Sequence, residues 1–162
     1  MKLDSSDIDN GRMMTYRCTR EYGNCSPSMT WTEVPEGTVE FALRCICTTK
    51  TMDVKTHWLV YKIPITVTGI PAGLNPNYEV PVLGNCMQGL NDFGSAGYDG
   101  PSMPWSLDNM YIFTLYALRE PLALGHGAML ENFMDAIEGK IIEQAELFGL
   151  FYVGQVGAEE YR

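Results

Sequence analysis

Two histidines and five cysteines are the residues of this chain best suited to nucleophilic or metal chemistry, and their spacing restricts what they can do. Cys47 and His57 make the one tempting pair. A Cys–His dyad needs a site that stabilises thiolate, hydrogen-bond reach and an oxyanion hole. No catalytic signature surrounds Cys47 and no third member is evident, so a Cys–His enzyme is the weakest reading. A structural zinc site wants two close Cys or His pairs. Cys18, Cys25, Cys45, Cys47 and Cys86 show no CxxC spacing, and only His57 and His126 could complement them. Cys45 and Cys47 lie two apart on one strand, which sets their Cβ atoms about 6–7 Å apart, against about 3.8 Å in a disulfide. Reduced thiols, several buried as small hydrophobes, are expected. Asn91-Asp92 ahead of Phe93-Gly94 resembles a catalytic acid but has the composition of a turn, because Asx side chains beside Gly bond their own backbone. No catalytic residue, metal or cofactor follows from these positions.

The elements that would position His57 and Cys47 are strands. Val39 to Cys47 alternates, with Phe41, Leu43, Cys45 and Cys47 on one face, and Thr56 to Ile63 places His57, Leu59, Tyr61 and Ile63 together. Asn91 to Trp105 is dense in Gly and Pro, the composition of an ordered loop, and feeds Tyr111 to Leu118, a strand apolar on both faces and therefore central in its sheet. Met13 to Cys18 reads as a first strand, Met29 to Trp31 as another, Pro35 to Thr38 as a turn, and Pro64 to Val82 as a long ordered loop. Ala128 to Phe148 carries apolar residues at Leu130, Phe133, Met134, Ile137, Ile141, Ala145 and Phe148, a helical stripe that Gly139 interrupts; two short helices or one kinked helix are expected. Strands followed by one terminal helical region give a mainly-β fold. At 162 residues the chain reads as one domain over 1–162, with a core of about 13–153 and mobile or edge segments at its ends.

With 11 basic residues against 20 acidic ones, a net charge of −9 and no basic run, the chain is short of the cations that neutralise phosphates, so nucleic acid and anionic membrane surfaces are poor partners and no nucleic-acid binding is expected. The start, MKLDSSDIDN, has no apolar h-region, and no stretch approaches a membrane span. A cytoplasmic location without a transmembrane segment is expected.

Five blocks in the chain resemble, in order, the phosphatidylethanolamine-binding protein family, also called Raf kinase inhibitor-like proteins, and most closely its small bacterial and archaeal members. CSPSMTW (Cys25 to Trp31) is similar to the family's SPPL-x-W, and VPEGTVEFAL (Val34 to Leu43) to its P-x-G-T-x-S-x-A-L. HWLVYKIP (His57 to Pro64) is similar to HWV-x-x-NIP. NDFG, GY, GP-x-x-P and the tyrosine-led strand ending LYAL match its central block, and MDAIEGKIIEQAELFG (Met134 to Gly149) its EGH-x-L-x-x-AEL-x-G close. The resemblance implies a large central sheet packed on a smaller antiparallel sheet, Greek-key connections and a C-terminal helical segment. It also implies a small pocket at one end of the sheet that accepts an anion such as a phosphate head group.

Carried over one residue at a time, the pocket is only partly kept. The histidine of HW is His57, and the loop supplies Gly100, Pro101 and Pro104. Where the family has the aspartates of D-P-D-A-P, this chain has Cys47 and Thr49; where it has the histidine of H-R-Y, Asn109; and the closing tyrosine aligns with Phe151. A charge-assisted hydrogen bond contributes about 1.5–3 kcal/mol, roughly twice a neutral one, so these replacements weaken any grip on phosphate. Without an acidic neighbour His57 is expected to be neutral near pH 7. The reading is a non-enzymatic small-ligand-binding or regulatory protein whose anion pocket is remodelled and weak. The alternative is a protease or kinase inhibitor acting through a surface loop, Leu74 to Gly84 or Asn91 to Trp105. A weakly held small anion, a kinase or protease, and a second copy in a homodimer are the partners left open. Because neither a metal nor a disulfide is expected to hold the fold, reductant and chelator together should leave the melting temperature unchanged; a fall of several degrees contradicts this.

Overall fold

A computed structural model describes residues 1–48, 53–102 and 109–151. The strands are β1 (Lys2–Asp4), β2 (Arg12–Met13), β3 (Met29–Thr32), β4 (Glu40–Thr48), β5 (Val54–Pro64), β6 (Gly69–Ile70), β7 (Met87–Gln88), β8 (Asn109–Leu118) and β9 (Ile141–Phe151), with one helix, α1 (Leu130–Ile137), ahead of β9. Among the described residues they form a six-stranded sheet in the order β2-β9-β8-β4-β5-β7 and a three-stranded sheet in the order β1-β3-β6. Only β2 and β9 run parallel; every other pair is antiparallel.

β8 lies between β4 and β9, which agrees with the apolar character of both its faces. Its Tyr111, Phe113, Leu115 and Ala117 join Phe41, Leu43, Cys45 and Cys47 of β4 in a core shared with Leu3, Met29, Trp31 and Ile70 of the smaller sheet. The Trp31 and Phe41 rings meet across that interface at 5.3 Å. On the opposite face Leu59, Tyr61, Tyr116 and Leu118 bury Phe133 and Ile137 of α1. Each such fully buried side chain contributes about 1.5–3 kcal/mol of burial energy, so the central sheet is secured from both sides. Among the described residues no helix is long and apolar enough to cross a membrane.

Three local readings of the sequence are corrected. The helical stripe ends at Ile137: Gly139 takes φ +75°, and residues 141–151 form β9, paired to β8 along its whole length. Ala145, Leu147 and Phe151 are buried at period two; their coincidence with a 3.6-residue stripe through Ile141, Ala145 and Phe148 misled the helical reading. Of Met13 to Cys18 only Met13 lies in a strand, the two-residue β2, and a 3₁₀ turn over Tyr16–Cys18 follows, with the Thr15 hydroxyl turned onto the buried carboxylate of Asp7 (2.8 Å). β5 does not keep one alternation. Lys62, at φ +57°, forms a bulge opposite Ala42, which moves Ile63 to the larger core while Leu59 and Tyr61 stay under α1. Residues 1–12, expected to be mobile or an edge, include the edge strand β1 with Leu3 in the core.

The long loop before β7 is ordered by one side chain. Gln88 is fully buried; its Oε1 accepts from Trp58 Nε1 (2.7 Å) and its Nε2 donates to the carbonyls of Asn75 (2.7 Å) and Asn77 (2.8 Å). Gln88→Leu strands all three partners in a dry interior and is expected to cost about 2–4 kcal/mol, read as a lower urea midpoint at unchanged slope.

Candidate functional site

β5 delivers His57 by means of two local devices. Thr56 is pinned at both backbone groups by Asp92: Thr56 N donates to Asp92 Oδ2 (2.7 Å) and Asp92 N donates to Thr56 O (3.0 Å). His57 then falls in a β-bulge, because Trp58 faces Cys45 and Thr56 faces Ile46, leaving His57 without an opposite residue on β4. Bulges re-aim a side chain next to functional sites. Here the imidazole lies edge-on to Tyr111 of β8, with centroids 5.0 Å apart, and is only 4% exposed.

Asp99, in the loop before β8, is the hub. Its N–H donates to His57 O (3.0 Å), and its carbonyl meets His57 Nδ1 at 2.5 Å. A carbonyl can only accept, so Nδ1 carries the proton and Nε2 of the neutral ring is the acceptor nitrogen. The Asp99 carboxylate accepts from Arg20 Nε (2.8 Å) and Asn24 Nδ2 (3.3 Å). Asn24 Oδ1 in turn accepts from Gly100 N (2.7 Å), and Arg20 N donates to Pro101 O (2.8 Å). The glycine at 100 is required by packing: a Cβ there would lie 2.1 Å from the carbonyl of Cys18.

The Arg20 guanidinium also stacks over Phe93 at 4.6 Å, and Phe93 contacts His57 at 4.9 Å. Arg20, Phe93, His57 and Tyr111 therefore form one stack from surface to core. The expectation that His57 has no acidic neighbour is corrected. Asp99 and Asp92 both favour its charged form, but burial, the largest influence, and the Arg20 charge oppose it and hold the imidazole down to about 4.

Of the other positions singled out in the sequence, Cys47 is buried opposite Tyr111 and its thiol is hydrogen-bonded to the Tyr111 side chain. Burial raises that thiol above its usual range, which opposes ionisation to a nucleophile. Asn109 opens β8, is buried, and pairs with Phe151 at the end of β9. Cys47, His57 and Tyr111 are thus brought into one cluster, Gly100 and Pro101 join it through Asp99, Asn109 lies two residues before Tyr111 on β8, and Phe151 lies opposite Asn109 on β9. Thr49 and Pro104 lie outside the described residues. Among the described residues no group of three His, Cys, Asp or Glu side chains is placed to hold a metal. Chemically the cluster offers aromatic surface, one neutral imidazole, a thiol and an amide.

Sequence reasoning missed Arg20, Asn24, Phe93 and Asp99. Arg20 and Asp99 are 79 residues apart, so no local spacing links them; the polar connection Thr19 to Pro27 reads only as loop. The turn reading of Asn91 describes that residue well: its Oδ1 accepts from Phe93 N (3.0 Å) and Ser95 N (3.2 Å).

With this geometry in hand, comparison with known proteins is direct. The model of the family described as phosphatidylethanolamine-binding protein matches residues 4–152. The chain is 36% identical over 147 residues to a UPF0098 protein of Methanothermobacter thermautotrophicus, covering 90% of this chain and 94% of that protein. It is 34% identical over 153 residues to a UPF0098 protein of Aquifex aeolicus, covering 93% and 88%. The crystal structure of Escherichia coli YbcL, described as a new member of the mammalian family, superimposes with a TM-score of 0.85 at 29% identity, covering 94% of this chain and 98% of that one.

The depressed His57 value has a signed consequence. The folded state binds fewer protons than the unfolded state between about pH 6.5 and 4, so the His57 contribution to stability is present above that window and is lost as pH falls through it. Over the full window the loss is on the order of 3 kcal/mol. His57→Gln, which can still donate to the Asp99 carbonyl, should lose about 2 kcal/mol less stability than the parent between pH 7 and pH 4.5, measured by urea unfolding at both values. Equal losses in the two proteins contradict the assignment.

Proposed function

This chain belongs to the phosphatidylethanolamine-binding protein family and is of the UPF0098 type, and from that premise we propose that it is a non-enzymatic small-ligand-binding or regulatory protein whose anion pocket is remodelled and weak. The observation that supports this most is the state of His57. An imidazole held near 4 by burial is neutral at pH 7, and its Nδ1 proton is already committed to the Asp99 carbonyl. What it offers a ligand at Nε2 is an acceptor, which suits a hydroxyl or ammonium donor and does not attract phosphate. Cys47 and Asn109 add a thiol and an amide where the family pattern has charged or protonatable groups. The binding surface in this reading comprises His57, Cys47, Thr49, Gly100, Pro101, Pro104, Asn109 and Phe151.

A second reading, inhibition of a protease or kinase through a surface loop, is favoured by one feature. The loop from Leu74 to Gly84 is braced by Ser26, whose Oγ accepts from Leu74 N (2.8 Å), and by Gln88, yet it exposes 76% of Val82 on a 3₁₀ turn. A rigid loop with an exposed aliphatic tip is suited to another protein's cleft. Native mass spectrometry of freshly purified protein separates the readings, since it shows a retained small molecule, a second copy or a bound protein.

Restoring the family residues tests the pocket itself. Cys47→Asp with Asn109→His adds a second imidazole and a carboxylate that favours the charged, phosphate-donating form of an imidazole, and should tighten phosphate binding about tenfold or more, measured by calorimetry. Micromolar phosphate affinity in the parent, or no gain in a folded double variant, sinks the assignment.

A further inference from the structure

We propose that Phe93 is a gate over His57 and that Arg20, tied to Asp99, is its latch. This rests on the reading that His57 belongs to the binding site, and it assigns to that site a control that the pocket residues alone do not contain. Phe93 is 42% exposed while the imidazole beneath it is 4% exposed, so the phenyl ring separates His57 from solvent on that side. Apolar rings left this exposed need a reason to stay put, and the guanidinium stacked 4.6 Å away supplies one. The guanidinium is not free to wander: its Nε is 2.8 Å from the Asp99 carboxylate, and its own backbone N–H is fixed on Pro101 O.

The geometry confines movement to side chains. The base of the Phe93 turn is fixed by Asn91, which bonds Phe93 N, Ser95 N and Gly97 O, and by Asp92, which bonds Thr56. The next residue, Gly94, takes φ +85° and has open space around it. Opening is therefore rotation of the Phe93 ring away from His57 above a fixed loop, on the timescale of side-chain and loop motion. Latch and target share one residue. Asp99 holds Arg20 by its carboxylate and His57 by its carbonyl, so a ligand that draws Arg20 off Asp99 loosens the lid over the ring it will meet.

Carbethoxylation of histidine by diethyl pyrocarbonate, followed by peptide mass spectrometry, reads the gate without any ligand. The exposed His126 serves as the internal reference in the same molecule. In the intact protein at neutral pH, His57 should react far more slowly than His126. The closed state predominates, so Phe93→Ala raises the His57 rate about tenfold or more. Arg20→Gln raises it about fivefold, the combined weight of an exposed cation–π contact and an ion pair. Phe93→Tyr, which keeps the ring, keeps the parent rate. The melting temperature and the His126 rate confirm that each variant is folded. An unchanged His57 rate in folded Phe93→Ala or Arg20→Gln overturns the gate. Because that readout needs no ligand, it is independent of the phosphate titration that tests the binding reading, and either can fail alone.

Discussion

One residue, Asp99, bonds in two directions at once, and the arrangement around His57 depends on it. Its main chain forms a reciprocal pair with His57, and its carboxylate gathers Arg20 and Asn24 from a loop 79 and 75 residues earlier. Through Asn24 and Arg20 the same residue anchors Gly100 and Pro101. Moderate forces suffice because they converge. An exposed ion pair contributes at most about 1 kcal/mol, but here it closes a ring of bonds that fixes a loop, a bulged strand and an aromatic stack together.

The electrostatics of the cluster are settled by burial. Two carboxylates near His57 would ordinarily favour imidazolium, yet desolvation outweighs them and one carboxylate is already partnered by a guanidinium. The same force acts across the interior: Cys18 and Cys86 are pushed up to about 12, and Cys45 is also raised well above its usual range, all chiefly by burial. A chain with a net charge of −9 thus keeps the buried thiols and His57 neutral.

The sequence reveals the scaffold better than the site. Block order identified the family and the two-sheet fold, and the two-faced apolar pattern of β8 placed it in the middle of its sheet. Alternation predicted the shared face of Phe41, Leu43, Cys45 and Cys47. It failed for β9, where Ile141, Ala145 and Phe148 mimic a helical stripe and only pairing with β8 decides for strand. It failed again along β5, since bulges at His57 and Lys62 break the period that face assignment assumes. The candidate cluster was legible where a motif is contiguous, as at His57 and Gly100. Arg20, Asn24 and Phe93 were not, because what joins them to the cluster is proximity to Asp99 and His57, and proximity across dozens of residues leaves no spacing to read.

The position of β9 also bears on how the chain acquires its shape as it is synthesised. Among the described residues β2 finds its sheet partner in Gly149 and Leu150, and one side of β8 pairs with residues 141–151. Pairing over such separations is intrinsically slow, because loop closure must precede the contacts that reward it. A nascent chain that has emerged through α1 therefore displays β8, an apolar strand with an open hydrogen-bonding edge, to whatever surrounds the ribosome. β9, translated after α1, is the strand that seals it.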